Sequence, residues 1–218
     1  MVRTLALVAA GALAAACAGA SRTPPSEDPG VARARADSAR YPYTEADIRF
    51  MSGMIGHHTQ AIRMARWAPT HGASAAVVRL SERIVNAQTD EITLMQQWLR
   101  DRRQPVPAPD TAHAMAHAGM SHAGMTHAPL MPGMLTDDQL ARLDAARGQE
   151  FDRLFLTFMI QHHNGALTMV QQLFGSHGAA QEDTIFKFAS DVSADQSTEV
   201  ARMQTMLAAL SPETRSAR

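Results

Sequence analysis

Two stretches of the chain carry adjacent histidines with a methionine three residues before the first, Met54-x-x-His57-His58 and Met159-x-x-His162-His163. Imidazole nitrogen binds copper, zinc, nickel and iron, whereas thioether sulfur selects soft ions such as Cu(I) and Ag(I). The match extends beyond these residues. Asp47 to Met64 aligns without gaps on Asp152 to Met169, and the Asp, Met-Ile, His-His, Ala and final Met positions coincide. At ~100° per residue on a helix, Asp47, Met51, Met54, His58 and Ala61 share one stripe, with His57 and Met64 on its flank. Asp152, Met159, His162, His163, Ala166 and Met169 repeat the arrangement. Each segment thus offers a pair of imidazoles and several thioethers over an arc of about 140°.

A single His-His pair is as readily a hydrogen-bonded core feature as a ligand pair. Its repetition behind the same methionine favours metal, because packing alone rarely demands adjacent imidazoles. Neighbouring helix positions diverge by ~100°, so one histidine can ligate while the other hydrogen-bonds a carboxylate. Asp47, Glu91, Asp152 and Glu199 are the candidates for that supporting role or for ligation. Read without a metal they are caps and solvated helix charges, a reading of slightly greater weight. Gln88-x-x-Glu91-Ile-x-x-Met95 repeats as Gln196-x-x-Glu199-Val-x-x-Met203, which brings Met95 and Met203 into the same candidate set.

A further His/Met run lies between the two copies: His113, Met115, His117, Met120, His122, Met125 and His127, continued by Met131 and Met134. Methionines in a solvated loop have no packing to do, and a flexible His/Met tract can wrap a soft ion. Zinc could use the histidines but would leave the methionines idle.

The elements that must position these residues are helical. Thr44-x-x-Asp47 and Thr136-x-x-Gln139 have the form of capping boxes. Helical patterning runs from Thr44 to about Trp67, stopped by Pro69, and from about Ser74 to Arg102. After a Pro/Gly-rich loop over 104–135 it resumes with a short helix before Gly148, then from about Gln149 to Phe174 and Ala179 to Leu210. His71-Gly72 and His177-Gly178 mark matching turns. Each half is one αα-hairpin (44–103 and 136–210), and two hairpins make an all-α four-helix bundle with a long Met/His-rich central loop.

Composition agrees. With 45% hydrophobic and only 5% aromatic residues the core is built from Leu, Ala, Ile, Val and Met, and the 14 Met and 10 His are the oddity. A net charge of -1 gives no reason to expect nucleic acid or an anionic membrane surface. Residues 1–16 read as an export signal, with Arg3 before an apolar run too short to span a bilayer. Cys17, the sole cysteine, fits a lipoprotein cleavage site at which it would be lipidated, leaving no thiol for a disulfide or zinc site. The Pro-rich residues 17–42 read as a disordered tether and 211–218 as a tail. An exported, membrane-anchored protein of the periplasm or cell surface follows, touching the membrane only through its lipid.

Phe50-Met51-x-x-Met54-Ile-x-His57-His58-x-x-Ala61 and Phe151-Asp152-x-x-Phe155-Leu156-x-x-Met159-Ile-x-His162-His163-x-x-Ala166 resemble the exported "domain of unknown function 305" family over about Tyr43 to Leu210. The resemblance implies a ferritin-like four-helix bundle and, from its copper-binding members, a link to copper resistance. It implies Met54, His57, His58, Met159, His162 and His163 as the central metal positions. Leu156 departs from Met51 of the first copy.

The leading expectation is therefore an extracytoplasmic protein that sequesters or transfers Cu(I), with Ag(I) and zinc as other ions. A copper pump or a multicopper oxidase would be its partner. No nucleophile constellation is evident, so an enzyme is not expected. Two other readings stand beside it. A ferritin-like metal-dependent oxidase would need Glu-x-x-His on paired helices, a spacing absent from the chain. A metal-free adaptor bundle would use the histidines as core polar groups.

Overall fold

The computed structural model describes residues 28–40, 42–107 and 130–210. Among them are six helices and no strand: α1 (Pro29–Arg40), α2 (Glu45–Ala65), α3 (Ala75–Asp101), α4 (Asp137–Ala145), α5 (Gly148–Phe174) and α6 (Asp183–Ala209). The anticipated hairpins are α2–α3 and α5–α6, and α2 packs on α5 to join them into a four-helix bundle. Both capping boxes are formed, at Thr44 with Asp47 and at Thr136 with Gln139. Each hairpin turn contains a glycine in the left-handed region, Gly72 (φ 69°) and Gly178 (φ 71°), where a side chain would be strained.

α2 and α5 run antiparallel. Phe50, Met51 and Met54 from the first half of α2 share an apolar cluster with Met169, Val170 and Leu173 from the last half of α5. Ala61, Met64 and Ala65 share a second cluster with Phe151, Phe155 and Met159. The four repeat histidines lie between these clusters along the central helices.

Two expectations change. Residues 29–40, within the stretch read as a tether, form α1, with Ala34 buried and the helix lying on α3. The prolines there suggested disorder, yet Pro29 takes the first helical position, where its missing N–H costs nothing. The Asp28 carboxylate accepts a hydrogen bond from the Gly30 amide at 2.8 Å, and a run of Ala and Arg follows, both strong helix formers. The second change concerns the end of the central loop. Met134 is buried, and half-buried Met131 packs against one apolar cluster, so these two methionines are not in a fully solvated loop. The signal segment 1–16, Cys17, the loop residues His113, Met115, His117, Met120, His122, Met125 and His127, and the tail 211–218 lie outside the described residues.

Candidate metal centre

The centre is built where the repeats cross. His57 and His162 bring their rings to a centroid separation of 3.8 Å at 40°, while His58 and His163 stand 6.4 and 6.3 Å from their neighbours in sequence. All four are at most 1% exposed. Neutral imidazole has one N–H and one lone pair, so each ring's partners decide which nitrogen is left over.

His57 Nε2 lies 3.0 Å from the Pro132 carbonyl. A carbonyl can only accept, so Nε2 carries the proton and Nδ1 presents its lone pair, with no hydrogen-bond partner. His163 Nε2 donates to Glu199 Oε2 at 2.7 Å and its Nδ1 is likewise unpartnered. His58 Nε2 lies 2.6 Å from Glu91 Oε2, the repeat-related contact, though its angle is poor for a hydrogen bond. His58 Nδ1 and His162 Nε2 are also buried without partners. A buried polar atom left unpaired costs roughly 1–3 kcal/mol, and this layer contains at least one such nitrogen on every ring and two on His58. A histidine whose one nitrogen is anchored on a carboxylate or carbonyl, with the other free, has the disposition of a metal ligand.

Burial keeps the inner pair neutral. Desolvation, then the neighbouring His58, pushes the His57 pKa down to about 3, against a raising contribution from Pro132. His162 is held well below the ordinary histidine range by desolvation first and then by His57, His163 and His58. Neutral imidazoles are the form a metal takes. On the outer rim the Asp195 carboxyl is raised by burial and then by Glu91, Asp191 and Glu199, which places the two supporting glutamates in one electrostatic neighbourhood.

The thioethers flank this layer on both sides. Met51, Met54, Met95 and Met169 belong to one cluster, and Met64, Met159 and Met203 to the other. Each cluster mixes the copies: the methionine preceding one histidine pair packs with the last methionine of the other repeat. Leu156 stands in the second cluster where Met51 stands in the first. Among the described residues no three His, Cys, Asp or Glu side chains converge as a ready cage.

The aspartates are occupied elsewhere. Asp47 Oδ2 accepts from the Thr44 amide at 2.6 Å and the Thr44 hydroxyl at 2.8 Å, and Oδ1 accepts from the Ala180 amide at 2.7 Å. Asp152 accepts from the Ser74 amide at 3.1 and 3.2 Å. Each repeat's aspartate thus secures the turn of the opposite hairpin.

Besides Leu156 against Met51, a second asymmetry lies in the segment that follows the central loop. Residues 131–135 cross the α2–α5 face as a strap. Gln60 clamps Leu135 through both its amide N–H and carbonyl (2.8 and 3.1 Å), and Gln161 Nε2 reaches the Gly133 carbonyl at 3.4 Å. A Cβ on Gly165 would fall 2.0 Å from the Pro132 oxygen. The signal was available as departures from the repeat, Gln60 against Gly165 and Gly56 against Gln161. Gln88 and Gln196 were also passed over, buried beside the glutamates with amide atoms unpaired.

The family described as "Domain of unknown function (DUF305)" matches residues 47–207. A DUF305 protein from Streptomyces coelicolor has the same fold, with a TM-score of 0.62 at 24% identity over 76% of this chain and 93% of that one. CopM in its Cu(I)-bound form aligns with a TM-score of 0.54 at 26% identity, over 73% of this chain and 94% of that one. CopM co-crystallised with silver gives 0.53 at 25%, over 73% and 93%. A search of curated proteins returned no match.

Proposed function

The chain belongs to the DUF305 family, and from that membership we propose that it is an exported copper-binding protein that holds Cu(I), or Ag(I), between its two hairpins. The observation that carries this reading is the layer of four buried imidazoles, each with at least one unpartnered ring nitrogen, flanked by buried thioethers. Soft sulfur beside neutral imidazole selects Cu(I) over harder ions. The CopM structures with Cu(I) and silver support the same choice of ion. His57, His58, His162 and His163, with Met54 and Met159, would hold the metal. Glu91, Glu199 and the Pro132 carbonyl would orient the rings.

The role is carriage rather than catalysis. Carriage needs only binding and release, which imidazole and thioether ligands supply. Export through the leader, anchoring at Cys17 and exchange with a copper pump or multicopper oxidase complete the proposal. No described helix is long and apolar enough to cross a membrane. Anaerobic competition of the protein with a Cu(I) chelator tests it, run beside Zn(II). Cu(I) uptake that zinc does not displace is expected. Zinc displacement, or oxygen consumption by the loaded protein, would overturn it.

A further inference from the structure

Beyond the histidine layer, and resting on the same class of ion, we propose that Met131 and Met169 form a second, surface site for a soft monovalent d10 ion. The place is a cavity of about 340 Å³ beside α2, lined by Gly53, Phe50, Met131, Pro132 and Met169 among others. Glycine inside a helix is destabilising relative to alanine, and Gly53 has a local use. A Cβ there would lie 3.2 Å from the Met131 sulfur and 3.5 Å from the Met169 methyl. The absent side chain leaves the room that brings both thioether ends to one point.

The matching position of the second repeat is Phe158, buried in the other apolar cluster. The feature therefore occurs on one side of the pseudo-symmetric bundle, the side that the strap crosses. Its lining contains no carboxylate and no imidazole, which disfavours Zn(II), Ca(II) or Mg(II). Arg49 also lines the cavity but is exposed, so its charge can remain in solvent. A pair of thioethers with no charged donor gives weak, exchangeable binding. Pro132, whose carbonyl holds His57, follows Met131 directly, so the surface site adjoins the strap that orients the buried layer.

Silver is the probe, being redox-silent. The full chain, labelled with 13C in its methionine methyl groups, is titrated anaerobically with Ag(I), both as wild type and as His57→Ala/His162→Ala. The Met131 and Met169 methyl signals should shift together in both proteins, in fast exchange and at higher Ag(I) than signals of the histidine layer. Met131→Leu should weaken the affinity read at the Met169 methyl about tenfold. Gly53→Phe, which installs the residue type of the second repeat, should abolish the response. Silent Met131 and Met169 methyls in a wild type whose histidine layer still responds would overturn this site alone. A response confined to Met131 and Met169 in the wild type would support it and overturn the copper reading of the layer.

Discussion

The Pro132 carbonyl accepts a hydrogen bond from His57 Nε2 across 3.0 Å, although the two residues are 75 positions apart. That bond fixes the tautomer of a buried imidazole and turns its lone pair to Nδ1. The segment after the central loop therefore sets the chemistry of the first repeat. Its counterpart in the second repeat is different, since His162 is left with Nε2 unpartnered.

Gly165 makes room for that segment. Substitution to alanine places a methyl 2.0 Å from the Pro132 oxygen and 2.5 Å from the Gly133 Cα, contacts that only displacement can relieve. Gly165→Ala should cost about 1–3 kcal/mol, the range of overpacking. Urea unfolding checks the loss, and it should come with weakened Cu(I) binding through the freed His57 ring.

Stability should fall in mild acid. The native His57 and His162 pKa values lie below the unfolded value of about 6.5, at about 3 for His57 and well below ordinary for His162. Below pH 6.5 the unfolded chain thus binds more protons than the native one. Their contribution is complete above pH 6.5 and is lost as the pH drops towards the native values. By pH 5 His57 would have given up about 2 kcal/mol, less any coupling to its neighbours, and His162 acts in the same direction. Denaturant midpoints at pH 7.5 and 5 measure this, and His57→Gln should flatten the dependence.

In the proposed site the glutamates would act on the metal through the rings. Glu91→Gln and Glu199→Gln keep the shape but remove the charge that faces His58 and His163. Each should weaken Cu(I) binding by about 10-fold or more while leaving the helical circular dichroism spectrum intact. The effect should be at least as large for Glu199, which accepts a hydrogen bond from His163, as for Glu91.

Asp47 and Asp152 should behave in the opposite way. Asp152→Ala strips two acceptors from the Ser74 amide, and Asp47→Ala strips acceptors from Thr44 and Ala180. A loss of about 1–2 kcal/mol in stability is expected for each. Cu(I) stoichiometry by competition titration should not change.

The hairpins, caps and turns were legible because they rest on local signals: capping boxes, Pro69, the His-Gly turns and a gapless repeat. The histidines and their methionines were legible for the same reason, as equivalent positions on two helices. The partners were only partly so. Periodicity places Glu91 on a face but cannot say that the face meets His58, and it gave Asp47 and Asp152 no sign of their cross-hairpin turns. Of the strap only the repeat departures at Gln60 and Gly165 show in the sequence, because its contacts join Pro132 and Leu135 to residues about 75 positions earlier. α1 was misread because proline and small residues signal disorder until a neighbouring surface such as α3 accepts them.

The central claim is that the buried histidine layer is the principal metal site. Anaerobic Cu(I) competition with a chromogenic chelator, comparing wild type with His57→Ala/His162→Ala, tests it most directly. The account expects the tightest Cu(I) to be lost in the double variant, with the helical spectrum retained. Equal affinity and equal stoichiometry in the two proteins would contradict it.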